Sequence, residues 1–247
     1  TAAISGLDVI VAERAEVLGG TTAWSGGWMW LPRNALARAA GIDEDASAPR
    51  SYLQAVLGER FDPARIDAFL TAAPEMVDFL IANGFRFEAG NRICDIYADR
   101  PGAGNGGRSL IAAPFDGRAL GERIALLRTT KRETSFIGMP IQAGPDLAAF
   151  LNATRRPAAA WHVAKRLAAH LRDLALHGRA TNLVNGVALV ARLFELADRR
   201  GVRWMTRARA KSLVGDTGAV RGAVLETPEG PVEVRARHGV LLATGGF

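Results

Sequence analysis

Short apolar runs near both ends, with helix-period stretches between them, set the expected architecture. Leu7–Ala12 is a mostly apolar run rich in β-branched residues, the pattern of a buried parallel strand, and Glu13 ends it. Thr1–Gly6 before it reads as the last turns of a helix stopped by Gly6. A helix, glycine, strand and acid in series form the second half of a βαβ unit. Gly19–Gly27 is a polar, glycine-rich loop, and 33–40 and 46–58 read as helices. Across 63–83 the apolar residues Ile66, Phe69, Leu70, Met76, Val77, Phe79, Leu80 and Ile81 recur at helical spacing, with Pro74 expected to separate two helices. A short strand is predicted over 85–88, a loop over 90–121, and a helix over 147–177 interrupted at Pro157. The spacing over 185–200 predicts an amphipathic helix burying Val187, Leu189, Val190, Leu193, Phe194 and Ala197. The tail then changes period. Strands are expected at 202–206, 210–214, 220–227, 232–236 and 240–243, a β-meander and one further strand running into Gly245.

At 247 residues the chain is long enough for one large domain or two small ones. With 49% hydrophobic and 23% charged residues, wholesale disorder is excluded. The single cysteine, Cys94, excludes a disulfide framework and any multi-cysteine metal site, and reads as a buried or partly buried thiol. No apolar run reaches the ~18–20 residues of a membrane span, and no signal peptide is visible, which gives a cytoplasmic expectation. The net charge of +6 is carried mainly by arginines spread along the chain among acids. That reads as a solvated surface suited to an anionic ligand, not as a nucleic-acid binder.

Candidate chemistry begins at Glu13. Ligands of open α/β sheets bind beyond the carboxyl ends of parallel strands, where a carboxylate can accept from both hydroxyls of a ribose. A solvated strand-end acid is the alternative. Gly19, Gly20, Thr21 and Thr22, then Ser25, Gly26 and Gly27, would let bare backbone approach a flat or phosphorylated ligand. A surface turn is the alternative there. Gly102, Gly104 and Gly107 satisfy G-x-G-x-x-G, but neither flank is the required strand or helix, so a mobile loop is expected. His162, His170 and His177 read as ordinary helix residues, and no metal site is expected.

The stretches Gly6–Glu13, Leu18–Gly27 and Val240–Phe247 resemble FAD-dependent oxidoreductases of the fumarate reductase/succinate dehydrogenase flavoprotein family. Within it, Asp95–Gly102, Gly107–Ser109, Pro114–Gly121 and Asn185–Leu193 are most similar to 3-ketosteroid Δ1-dehydrogenases. The resemblance implies an α/β, FAD-binding Rossmann-like domain of glutathione-reductase type, with a helical insertion and a β-meander, incomplete. The core would be 1–45 and 180–247 and the mainly helical insertion 46–179, with the phosphate turn, catalytic domain and closing segment absent. FAD is the implied cofactor. Glu13 would hold the adenosine ribose, and Gly19, Gly20, Thr21 and Thr22 would line the pyrophosphate. Ser25, Gly26 and Gly27 would pass the isoalloxazine, Ala210 would offer backbone bonds to adenine, and Ala243, Thr244 and Gly245 would close the adenosine side. The steroid pattern places a tyrosine directly after Asp95, where this chain has Ile96; Tyr97, one residue on, is the catalytic candidate. The implied reaction moves a hydride to flavin N5 from a carbon–carbon bond beside a ketone, in a ketosteroid-like substrate with an unknown electron acceptor. A fumarate-reductase-like enzyme of a small dicarboxylate, which needs arginine and histidine clamps, and a non-catalytic fragment are the alternatives. On this reading the 247 residues alone hold FAD weakly or not at all.

Overall fold

A computed structural model describes residues 1–245. Gly246 and Phe247, which end the last resemblance stretch, lie outside the described residues. In chain order the elements are β1 (Ile10–Ala12), β2 (Met29–Trp30), α1 (Ala35–Ala39), α2 (Ser47–Leu57), α3 (Pro63–Ala82), β3 (Phe87–Ala89), β4 (Ser109–Ala112), β5 (Phe115–Asp116), β6 (Ser135–Phe136) and β7 (Met139–Pro140). There follow α4 (Pro145–Leu151), α5 (Pro157–His177), β8 (Asn182–Leu183), α6 (Asn185–Asp198), β9 (Arg203–Met205), β10 (Arg209–Asp216), β11 (Ala219–Thr227) and β12 (Gly230–Arg235). They fall into two compact units: Thr1–Gly20, Glu122–Arg128 and Ala197–Phe247 in one, Thr21–Gly121 and Thr129–Leu196 in the other.

In the first unit, Leu7 N–H bonds the Ala2 carbonyl at 3.1 Å and Gly6 N–H that of Ala3 at 3.1 Å, with Gly6 at φ 83°. That pair of bonds is a Schellman stop, so a helical turn does end at Gly6. β1 then pairs in parallel with β9, Ile10 opposite Arg203 and Ala12 opposite Met205. β10, β11 and β12 form the antiparallel meander, whose buried face joins Ala208, Ala223 and Leu225 with Met205 and Val234. The strand expected at 240–243 does not form: no described residue pairs with it, and Leu241 is 91% exposed. An apolar run becomes a strand only where a neighbour takes its N–H and carbonyl groups.

In the second unit, β4 is the central strand of the order β2–β4–β3. Leu110 packs with Leu31, Ala73 and Val77 to form the core. This strand lies inside the stretch read as loop; a four-residue run buried on both faces has no periodicity to announce it. Pro74 does not split α3, which runs unbroken over 20 residues. Leu70 and Ala73 before it and Val77 after it are all buried, so packing on both sides offsets the lost backbone bond. Asn34 caps α1, accepting from Ala37 N–H at 3.0 Å, while its amide donates to the Leu31 and Gly107 carbonyls at 2.8 and 2.7 Å. Pro157 starts α5 as its first residue, as the interruption predicted. On α6, Leu193 is 41% exposed instead of buried; Arg192 takes the inner side and donates to the Ala113 and Pro114 carbonyls at 2.7 and 2.6 Å.

α5 turns a polar face inward. His170 is buried against the Ile137 carbonyl at 3.0 Å. Asp173 accepts from the Thr181 N–H and hydroxyl at 3.1 and 2.5 Å. Burial alone would raise the Asp173 carboxyl, but the Thr181 bonds and Arg172 outweigh it and hold it below its ordinary value. A depressed carboxyl contributes stability that is complete above its unfolded pKa and is lost as pH falls through the folded one. Asp173→Asn is therefore expected to lower stability at neutral pH and to flatten the acid limb below about pH 4, read by circular dichroism against pH. An unchanged acid transition would contradict this account.

Candidate functional site

In the first unit, Glu13 follows β1 and is built into the sheet on both sides. Its N–H bonds the Met205 carbonyl at 2.8 Å and its carbonyl accepts Ala208 N–H at 2.8 Å. The Ala15 N–H takes carboxylate Oε1 at 2.8 Å, leaving Oε2 without a protein donor among the described residues. A half-buried, half-satisfied carboxylate at a parallel strand end has the capacity a ribose diol requires. Ala210 lies two residues beyond Ala208, exposed in β10 opposite Leu225. Glu13 and the start of β10 are thus brought together. Leu18 bridges in parallel to Leu127, and after it Gly19 and Gly20 take φ of 121° and 49°. A Cβ on Gly20 would meet nothing within 4 Å, so bare backbone is open to a ligand there. Ala243, Thr244 and Gly245 are exposed, and among the described residues none pairs in a strand or bonds Glu13.

In the second unit, Thr21 and Thr22 open a short turn in which Ala23 is buried. Ser25 Oγ donates to the Thr22 carbonyl at 2.8 Å and accepts Gly27 N–H at 3.1 Å. The Ser25 carbonyl accepts Gly186 N–H at 3.2 Å. Two glycines make this junction with the α6 N-terminus possible. A Cβ on Gly186 would sit 1.8 Å from the Thr22 carbonyl oxygen, and one on Gly27, at φ 75°, 2.5 Å from the Asn185 carbonyl carbon. Asn185 and Gly186 were not among the sequence candidates; an Asn-Gly pair opening an amphipathic helix was the available signal. Gly26 is exposed, with only Trp28 near its missing side chain.

Asp95 is fully engaged. It accepts Trp30 Nε1 at 2.7 Å, Gly104 N–H at 2.9 Å and Arg108 Nη1 at 2.5 Å. Arg108, buried, also bonds Glu44 and lies over the Trp30 and Tyr52 rings at 5.7 and 5.8 Å. The glycine run 102–107 is accordingly packed, not mobile. A Cβ on Gly102 would meet the Ala48 carbonyl at 2.2 Å, and one on Gly106 that of Asn91 at 2.0 Å. Tyr97 N–H rests on the Tyr52 hydroxyl at 3.3 Å, with its own ring 51% exposed, beside Ile96 at 90%. Cys94 is exposed, not buried.

A cleft of about 930 Å³ also lies in the second unit, walled by Trp28, Ile93, Ile111, Pro114 and Val184. At its rim His162 is no ordinary helix residue: its Nε2 lies 2.7 Å from Asp146. Arg166 Nη2 holds the same carboxylate at 3.3 Å and the Pro140 carbonyl at 2.8 Å. Asp146 comes from the first turn of α4, a separate helix, so spacing along α5 alone could not reveal the pair.

An acid-ended parallel strand, a meander behind it and a glycine-rich loop with bare backbone define an α/β nucleotide-binding protein. The FAD binding domain family model matches residues 1–247, and the chain belongs to that family. It is 35% identical, over 100% of its length, to 42% of a 4-oxocyclohex-2-ene-1-carboxylate 5-dehydrogenase of Sinomonas cyclohexanicum. It is 32% identical, again over 100% of its length, to 44% of a 3-oxosteroid 1-dehydrogenase of Mycobacterium tuberculosis. A crystal structure of 3-ketosteroid Δ1-dehydrogenase from Sterolibacterium denitrificans, in complex with 1,4-androstadiene-3,17-dione, superposes with a TM-score of 0.84 at 30% identity, covering 99% of this chain and 44% of that one. The chain thus spans under half the length of these relatives. Among the described residues no helix is long and apolar enough to cross a membrane.

Proposed function

We propose that this chain forms the FAD-binding part of a dehydrogenase that oxidises a carbon–carbon bond beside a ketone. The observation that carries the reading is the 0.84 superposition on a ketosteroid dehydrogenase at 30% identity across 99% of the chain. Both curated relatives described above are likewise named as dehydrogenases of cyclic ketones. FAD, when bound, supplies the hydride acceptor. Glu13 would accept ribose hydroxyls through its open Oε2, each charge-assisted bond contributing on the order of 1.5–3 kcal/mol. Ala210, Ala243, Thr244 and Gly245 would border the adenosine. Gly19, Gly20, Thr21 and Thr22 would flank the pyrophosphate, and Ser25, Gly26 and Gly27 the ring system, with water kept from the buried loop face. Tyr97, exposed and anchored only through its backbone, would meet substrate as a hydrogen-bond donor. A soluble, cytoplasmic enzyme using a separate electron acceptor completes the proposal; the exposed free thiol of Cys94 fits a reducing compartment.

The test is steady-state reduction of an artificial acceptor dye by the FAD-loaded protein that carries this chain. Turnover with a 3-ketosteroid or a cyclohexanone, and none when fumarate is offered to the reduced dye, is expected. Fumarate reduction without ketone oxidation would overturn the reading.

A further inference from the structure

Helix α5 is amphipathic in the opposite sense to a helix facing water. His170 and Asp173 are buried on its inner side, where His162 and Arg166 also hold Asp146. At about 3.6 residues per turn, the outer face carries Trp161, Ala164, Ala168, Leu171 and Leu176. Trp161, Leu171 and Leu176 are 66%, 60% and 69% exposed. α4, held to α5 through Asp146, leaves Leu147 and Leu151 exposed as well. A surface helix in water turns its apolar stripe inward. Large apolar side chains gathered on one outer face mark a surface that meets something apolar.

Charge selects the partner. Over 131–179, Lys131, Arg132, Arg155, Arg156, Lys165 and Arg172 are exposed against a single exposed acid, Glu133. Asp146 and Asp173 are withdrawn onto His162, Arg166 and Thr181. Lys165 and Arg172 stand on the apolar face itself. Lys165 Nζ lies 5.9 Å from the Trp161 ring centroid, and Arg172 reaches Asp173 only at 3.4 Å. No acid lies on that face among the described residues. A second copy docked there would bring like charges together. Leucine and tryptophan interleaved with lysine and arginine instead suit the boundary between headgroups and acyl chains of an anionic bilayer. The aliphatic stems of the cations add to the apolar contact while their heads reach the lipid phosphates.

We propose that the outer face of α5 seats the protein reversibly on the surface of an anionic membrane. Trp161, Leu171 and Leu176 enter the headgroup boundary, and Lys165 and Arg172 meet lipid phosphates. The helix lies along the bilayer and does not cross it. This goes beyond the dehydrogenase reading and does not depend on it.

Cosedimentation of the whole FAD-loaded protein that carries this chain with lipid vesicles tests the proposal. Vesicles of phosphatidylcholine alone are compared with vesicles of phosphatidylcholine and phosphatidylglycerol in equal parts. Binding at least about tenfold tighter to the anionic vesicles, and weakened by added salt, is expected. Leu171→Glu with Leu176→Glu abolishes binding, and Lys165→Gln with Arg172→Gln removes most of the preference for anionic lipid. Both double variants keep the wild-type circular dichroism, because the altered side chains are exposed. Ile81→Glu, at an exposed apolar position on α3, leaves binding unchanged. No binding by the folded protein, equal binding to both vesicles, or either double variant behaving as wild type overturns the proposal. A dimer in sedimentation equilibrium that the leucine variant dissolves, without vesicle binding, also overturns it and assigns the face to a second copy.

Discussion

Arg108→Ala is expected to destabilise the second unit by about 3–5 kcal/mol, the usual cost of removing one member of a buried ion cluster. Arg108 and Asp95 side chains are each 2% exposed, and Nη1 lies 2.5 Å from the carboxylate. Without the guanidinium, Asp95 keeps the Trp30 and Gly104 donors but no compensating charge. Glu44 loses its partner as well, and the space over the Trp30 and Tyr52 rings is left empty. Urea unfolding of wild type, Arg108→Ala, Asp95→Asn and the double variant measures this. The double variant should fall by much less than the sum of the singles, because the charge left stranded by one change is removed by the other. A loss below about 1 kcal/mol for Arg108→Ala, the range of a surface pair, would contradict the buried-cluster account.

That cluster also marks where sequence reading stops. β1, Glu13, the meander and the start of α5 at Pro157 were legible, because each is decided by local residues: β-branched runs, an acid at a strand end, turns, a proline at a first helical position. The glycine-rich loop was legible as a loop. Its partner, the α6 N-terminus at Gly186, lies some 160 residues away and is fixed by packing. Packing likewise brings Asp146 beside His162, and Asp95 beneath Trp30 and Arg108, from separate elements that no local pattern links. In the sequence Asp95 merely stands beside a candidate tyrosine, whereas in the fold it is the anchor of the 95–107 loop. Pro74, β4 and Leu193 differ from expectation for one reason: the side of an element that finds a neighbour, not its own periodicity, decides what is buried.

Gly186→Ala should have the largest effect on the glycine loop. Its Cβ would stand 1.8 Å from the Thr22 carbonyl, 2.8 Å from Ser25 Oγ and 3.0 Å from the Ser25 carbonyl. The first and last are backbone atoms, so the loop itself must move, and overpacking of this kind typically costs about 1–3 kcal/mol. The Gly186 N–H bond to Ser25 would be lost with it, and with that the placement of Gly26 and Gly27. Gly178→Ala is the control for backbone strain. Gly178 has φ 67° and empty space where its Cβ would go, whereas Gly186 has the opposite problem, a close backbone contact. The Gly178 variant bears only the left-handed penalty of roughly 1–2 kcal/mol and displaces nothing. Flavin fluorescence titration of the whole flavoprotein that carries this chain, with urea unfolding in parallel, should therefore show both variants modestly less stable, with FAD affinity down at least about tenfold in Gly186→Ala. The drop in Gly178→Ala should be clearly smaller. Equal losses of affinity would mean that the backbone contact between Gly186 and Thr22 does not shape the cofactor loop, and the roles proposed for Ser25, Gly26 and Gly27 would fall with it.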